Sequence, residues 1–173
     1  MSKLFRTTLW ILSGIGLIAF FFQTLSTFLI SPLMGLLSLL IAAILVALVI
    51  YLLQRSPMWA RPARLWAALA FLWGGGVAVA LALISAGPVM QLAIGSGWVD
   101  AMMSWSGAYP EEISKATGVI FVLMSFRQLN RPWHGWMVGA VVGLGFEACE
   151  NILYGAMGAT MPVSYTHLRA HET

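Results

Sequence analysis

The chain has 173 residues, 60% of them hydrophobic and only 9% charged, and its mean hydropathy is +0.88. A soluble domain carries roughly 25% charged residues, so this sequence lacks the charge to cover a water-facing surface. The net charge of +3 sits mostly between apolar blocks, where membrane topology explains it better than nucleic-acid binding, and the single cysteine, Cys149, excludes an internal disulfide. The partner these numbers predict is a lipid bilayer, with no nucleic acid.

Five apolar segments follow one another, each near the roughly 20 residues that a membrane helix needs. The first spans Thr7–Ile30. Lys3 and Arg6 precede it as in a signal peptide, but no A-x-A cleavage site follows, so it reads as a retained helix. Ser31-Pro32 forms a turn, and the second helix covers Leu33–Leu53. A basic loop, Gln54–Arg64, leads to a third helix over Leu65–Ala86, interrupted by Gly74-Gly75-Gly76 at a kink or close-packing point. Gly87–Pro110, rich in Gly, Ser and Trp, is either a loop or an interfacial amphipathic piece. The fourth helix spans Pro110–Phe126, Arg127–His134 is a second basic turn, and the fifth helix spans Gly135–Met157. The fold class is thus all-α, a polytopic transmembrane bundle occupying residues 1–161.

The tail differs. Ser164–Thr173 (SYTHLRAHET) holds two of the three histidines and no apolar run. It resembles translated sequencing-adapter sequence starting at Pro162 or Val163, so residues 162–173 are expected to be non-native. His167 and His171 have the i, i+4 spacing of a helical metal pair, but the composition break excludes them from any site.

Loop charges set an orientation. With the amino terminus in the cytoplasm, the inner side receives Lys3, Arg6, Arg55, Arg61, Arg64, Arg127 and Arg131, and the outer loops receive no basic residue. The positive-inside rule therefore places the amino terminus inside. Helix four then enters from outside, with Glu111 and Glu112 in its first turn. Helix five rises from Gly135 at 1.5 Å per residue, which lifts Glu147 and Glu150 about 18 to 22 Å into a core about 30 Å thick. Four of the five acidic residues ahead of the tail (Asp100, Glu111, Glu112, Glu147 and Glu150) thus share the outer half of the bilayer. Helical periodicity puts Glu111, Ser114, Lys115, Gly118, Val122 and Ser125 on one face of helix four. On helix five, Gly135, Gly139 and Gly143 recur every four residues toward Glu147, with Phe146 and Glu150 alongside. Small residues at this spacing predict a close-packed seam.

Ionisable groups at such depth each cost about 2.5–3.5 kcal/mol on insertion scales, so their default reading is a functional site facing the bundle interior. Structural readings compete. Glu111 and Glu112 follow a proline at a helix start, where negative charge suits the dipole, and Glu111–Lys115 has i, i+4 ion-pair spacing. Glu147 reads equally as a strut between helices, whereas Glu150-Asn151, deep in an apolar helix, favours function. Cys149 has no histidine partner and is not a nucleophile candidate. His134, in a basic turn far from the carboxylates, reads as a loop residue. The tryptophans and phenylalanines read as core and interface belt. Clustered carboxylates could activate water and protonate a leaving group, with Lys115 or Asn151 stabilising an oxyanion. They could also hold a divalent metal or relay protons.

Two motifs narrow these choices. Pro110-Glu111-Glu112-Ile113-Ser114-Lys115 matches an EExxK pattern, and Gly143–Tyr154 (GLGFEACENILY) matches GxGFxxxEN. Over roughly Tyr109–Gly155 the chain resembles the PrsW family of intramembrane proteases, distant relatives of the CAAX-type membrane proteases. The resemblance implies a multi-pass enzyme of the bacterial cytoplasmic membrane that hydrolyses a peptide bond of a membrane-associated protein, in some members an anti-sigma factor. It implies Glu111 and Glu112 as water-activating residues and Glu150 as the residue completing the site, with Lys115, Phe146, Glu147 and Asn151 in support. Both metal-dependent and glutamic mechanisms have been described for the family, so a divalent metal such as zinc is compatible with it.

Two departures accompany the match. His134 stands before Gly135 where an acidic residue is common, and the later helices that carry active-site histidines do not follow in this sequence, so the chain as written is expected to be inactive. The competing class is a non-catalytic membrane scaffold or immunity-type protein on the same fold. A proton-coupled carrier is the third, and no inverted repeat supports it.

Overall fold

The computed structural model describes residues 3–62 and 64–158. The composition break at Ser164–Thr173, and with it the boundary at residue 161, lies outside them. The described residues form the all-α bundle expected from the hydropathy pattern.

Helix α1 (Lys3–Ile30) stops at Ser31, which is extended at φ −150°, and Pro32 opens α2 (Pro32–Arg55). Proline suits a first helical turn because its missing N–H has no intrahelical partner there. After the basic loop, α3 (Arg64–Leu72) runs through a π-helical turn at Trp73–Ala78 into α4 (Val79–Gly95), making one rod of 32 residues. This corrects the expected end at Ala86. Pro88 removes one backbone donor, but the Val-Met-Gln-Leu-Ala stretch beyond it supports helix, and α4 stays packed against its neighbours. The rod ends in a Schellman motif: Gly97 takes φ +80°, its N–H donates to the Ile94 carbonyl (3.0 Å), and Trp98 N–H donates to the Ala93 carbonyl (2.9 Å).

Between Gly95 and the next long helix lie a 3₁₀ turn (Val99–Ala101) and the short helix α5 (Met102–Ser106). Trp98, Trp105 and Tyr109 contact one another in series with ring centroids 5.2 and 6.1 Å apart. Of the two readings of this region, the structure supports a helical, aromatic piece rather than an open loop. Helix α6 (Ala108–Ser125) and helix α7 (Pro132–Gly158) complete the described chain.

Four helical stretches are long and apolar enough to cross a membrane: α1, α2, the α3–α4 rod and α7. Helix α6 has 18 residues, but Glu111, Glu112 and Lys115 occupy its first half. It instead packs into the bundle against α1, α4 and α7. The centre of that bundle holds Trp66, Trp73, Leu9, Met137, Val122 and Phe146, all buried.

The π turn is where three helices meet most closely. A Cβ on Gly74 would collide with the Val142 carbonyl of α7, and one on Gly76 with the Gly16 carbonyl of α1. Gly145 of α7 faces the Phe71 carbonyl with the same lack of room. The Gly74-Gly75-Gly76 run is therefore a close-packing point, as expected. The Gly135/Gly139/Gly143 seam is not: Gly143 faces open space, and Gly135 and Gly139 meet only side-chain tips at 3.9 Å. Periodicity located a face of α7, but the face that α7 turns to its neighbours is the one bearing Val138, Val142 and Gly145.

His134 also departs from its expected place. It lies in the first turn of α7 and is buried, and its Nδ1 accepts a hydrogen bond from the Arg131 N–H at 3.1 Å. The imidazole satisfies a backbone donor near the helix start, which gives it a structural role that a loop residue would lack.

Gly74→Ala and Gly143→Ala separate the two glycine classes. The first should destabilise the protein by about 1–3 kcal/mol or more through overpacking against backbone. The second should be neutral or stabilising by up to about 1 kcal/mol through helix propensity. Thermal unfolding of the two variants in detergent micelles measures both effects.

Candidate active site

Trp73 leaves the π turn toward α6, where its indole lies over Gly118 so closely that a Cβ there would collide with the ring. From that position Nε1 donates to the Ser114 carbonyl at 3.0 Å, and the ring stacks on Phe121 at 5.2 Å. This contact sets the rotation of α6 about its own axis. Ser114 and Gly118 face inward, so Glu111 and Lys115, on the same side, turn toward α7.

Lys115 is the hub of the charged groups. Its Nζ lies 2.9 Å from Glu112 Oε1 and 3.7 Å from Glu111 Oε2, and 3.9 Å above the centre of the Phe146 ring. An ammonium over a buried aromatic face is stabilised by the ring quadrupole, and Phe146 is 1% exposed. The three interactions hold a long, flexible side chain in one place between α6 and α7.

Beside this cluster is a cavity of about 120 Å³, lined by Gln23 of α1, Ala82 and Ala86 of α4, Glu111 of α6, and Glu150 and Tyr154 of α7. Glu111 and Glu150, 39 positions apart in sequence, thus border one space. Tyr154 Oη donates to Glu150 Oε1 at 3.4 Å. Glu111 and Glu150 therefore lie at one level along the bundle, as the helical rise predicted.

The other residues singled out by the motifs lie elsewhere. The Glu112 side chain is 71% exposed and meets the cluster only through Lys115. Glu147 and Asn151 are exposed on α7 and do not line the cavity. Cys149 is buried, away from solvent.

The sequence reading missed Gln23. Its amide nitrogen is buried and has no hydrogen-bond partner among the described residues, although the side chain lines the carboxylate cavity. A lone primary amide inside a 28-residue apolar helix was the available signal, because a polar group in hydrocarbon needs a partner. That signal carries no information about which helix faces it.

Four helical stretches of membrane length, with Glu111 and Glu150 bordering one cavity between helices, define the class: a polytopic membrane protein with an ionisable site between its helices. A family model described as PrsW family intramembrane metalloprotease matches residues 61–170. That match covers more than half of the chain, and the chain belongs to this family of integral-membrane proteases. Comparison with curated proteins and with solved structures yields no match.

The family description raises the question of a metal. A catalytic zinc takes three protein ligands, whereas among the described residues no group of three His, Cys, Asp or Glu side chains is placed to hold an ion. Glu111 and Glu150 are two carboxylates, and the third charged group beside Glu111 is an ammonium. The described residues do not by themselves fit a metal centre.

Replacing Phe146 by Ala should cost about 3–5 kcal/mol, the usual range for a buried Phe. Lys115→Met should cost about 1–2 kcal/mol through its lost charged contacts. If the ammonium and ring support each other, a double-mutant cycle on unfolding free energies should show coupling of about 0.5–2 kcal/mol. Additive losses would mean that the contact is incidental.

Proposed function

We propose that the protein is an intramembrane endopeptidase that hydrolyses a peptide bond of a membrane-associated protein at the cavity between Glu111 and Glu150. The observation that carries this reading is the approach of these two carboxylates, from different helices, to one small space in a family of intramembrane proteases. A chain with six acidic residues in all has brought two of them to one cavity between its helices, against the cost of placing charge within a membrane protein.

Two carboxylates bordering one cavity can divide the work of base and acid. Glu111 has the Lys115 ammonium at 3.7 Å as a counter-ion, and we assign it the base. It takes a proton from water as the water oxygen adds to the scissile carbonyl carbon. Glu150 in its protonated form then donates to the amide nitrogen as the C–N bond breaks, leaving a carboxyl group and an amine. The unpartnered Gln23 amide is suited to donate to the carbonyl oxygen as it gains charge. Glu112 retains a supporting role by holding Lys115. Glu147 and Asn151, exposed beside the cavity-lining face of α7, are assigned to contact with substrate or further protein. The reading places the amino terminus in the cytoplasm and the site in the outer half of a bacterial cytoplasmic membrane, with anti-sigma factors among the first substrates to test.

Glu111→Gln and Glu150→Gln are close in shape to the native side chains and remove the carboxylate charge together with the ability to exchange a proton. Sequencing of newly formed amino termini in membranes containing the wild-type protein decides between the two expectations: cleavage products within or beside membrane segments support the endopeptidase, and their absence supports the inactive chain expected from the sequence. Each variant should lower their yield by about 100-fold or more, the contribution of one acid or base, at equal protein level. Equal products in wild type and both variants would overturn the assignment and favour a non-catalytic scaffold.

A further inference from the structure

At the opposite end of the bundle from the carboxylates, Arg61 and Arg64 border an open pocket of about 730 Å³, together with Trp59, Phe126 and Gln128. Both arginines are exposed, and neither makes a hydrogen bond or ion pair among the described residues. This contrasts with Arg55, which donates to Tyr51 Oη at 2.6 Å, and Arg131, which lies over Trp133. No acidic residue lines the pocket.

The loop that carries the arginines is tied down. Trp66 Nε1 donates to the Ala60 carbonyl at 3.1 Å from a fully buried ring, Trp59 packs on Trp66 at 4.7 Å, and Gln128 Nε2 donates to the Pro62 carbonyl at 3.3 Å. The backbone on either side of Arg61 is therefore positioned before any ligand arrives, which lowers the ordering cost of binding.

The pocket opens into an apolar groove. A second cavity, of about 400 Å³, shares Gln54, Trp59 and Arg64 with the first and continues past Ile50 and Phe71. A third, of about 380 Å³, shares Val46, Ile50 and Phe71 with the second and extends to Leu39 and Ile152. From Gln54 to Leu39 the track follows α2 for fifteen residues, or about 22 Å at 1.5 Å per residue. That exceeds one leaflet's half of a hydrocarbon core about 30 Å thick.

We propose that this track is a binding site for one anionic phospholipid, with the headgroup phosphate between Arg61 and Arg64 and an acyl chain along α2 toward Ala148 and Ile152. Unpaired guanidiniums suit phosphate geometry, and an apolar groove that starts at those arginines suits an attached hydrocarbon chain. A soluble anion would leave the groove unused, and an acidic peptide would place polar backbone in it. The inference is independent of the catalytic reading, because none of these residues borders the carboxylate cavity.

The test uses the full 173-residue chain in mild detergent, titrated with phosphatidylglycerol, phosphatidylcholine and glycerol phosphate and followed by native mass spectrometry. Phosphatidylglycerol should be retained as a single bound copy, roughly tenfold or more tightly than phosphatidylcholine, given the attraction of two basic side chains for an anionic headgroup. Glycerol phosphate, which has no acyl chain, should not be retained. R61Q/R64Q should abolish the headgroup preference, and A43F, at an alanine of α2 that lines the third cavity, should weaken retention of both lipids by filling the groove. Equal retention of the two lipids by the wild type overturns the proposal without recourse to any variant. So does binding of glycerol phosphate as tight as that of the lipid, which would make this a site for soluble anions. Failure of every lipid to bind overturns it in favour of a groove covered by protein.

Discussion

The arrangement of this bundle depends on backbone meeting backbone at one π-helical turn. In lipid, the association of helices gains little from the hydrophobic effect, because acyl chains are as apolar as leucine. Close packing must supply the attraction instead. The turn at Trp73–Ala78 achieves this with three consecutive glycines, which admit the Val142 carbonyl on one side and the Gly16 carbonyl on the other. A π turn widens the local helix and re-aims the side chains around it. Here that re-aiming sends Trp73 across to α6.

The indole of Trp73 converts the packing into a site. Its hydrogen bond to the Ser114 carbonyl, made possible by the missing Cβ of Gly118, fixes the face that α6 shows to α7. Lys115 then reaches Phe146, and Glu111 reaches the cavity that Glu150 borders. None of the ionisable residues need attract another over distance for this to occur. Their positions follow from apolar and backbone contacts one to two helical turns away, and the ion pairs hold in place what packing has delivered. Weak individual salt bridges suffice for this.

The two ends of the bundle carry opposite chemistry. Acidic groups gather around a small cavity, while two arginines without an ion pair among the described residues border a wide, open one. The small acidic cavity suits chemistry that must position a water molecule. The open end suits contact with a surface that is itself anionic. Long apolar segments of α2 and α7 join the two ends, so a lipid seated in the groove would pack along the helix that carries Glu150.

Length and hydropathy determined the helices, because a bilayer demands about 20 apolar residues wherever the chain crosses it. Helical rise also put Glu111 and Glu150 at one level along the bundle, since it depends only on distance along a regular helix. The motif around Glu111 and the one around Glu150 identified the family for the same reason, as their spacing is local. Rotation was beyond reach. Whether Glu112 or Glu111 faces the cavity, whether α7 packs through Gly143 or Gly145, and whether Gln23 of α1 joins the site all depend on which side of a helix meets its neighbour. The sequence spreads small and apolar residues around most of each helix, so periodicity gives no unique answer in a chain surrounded by hydrocarbon. Only the tertiary contacts at Gly74, Gly76 and Trp73 decided it, because carbonyl and indole groups can come that close at very few angles.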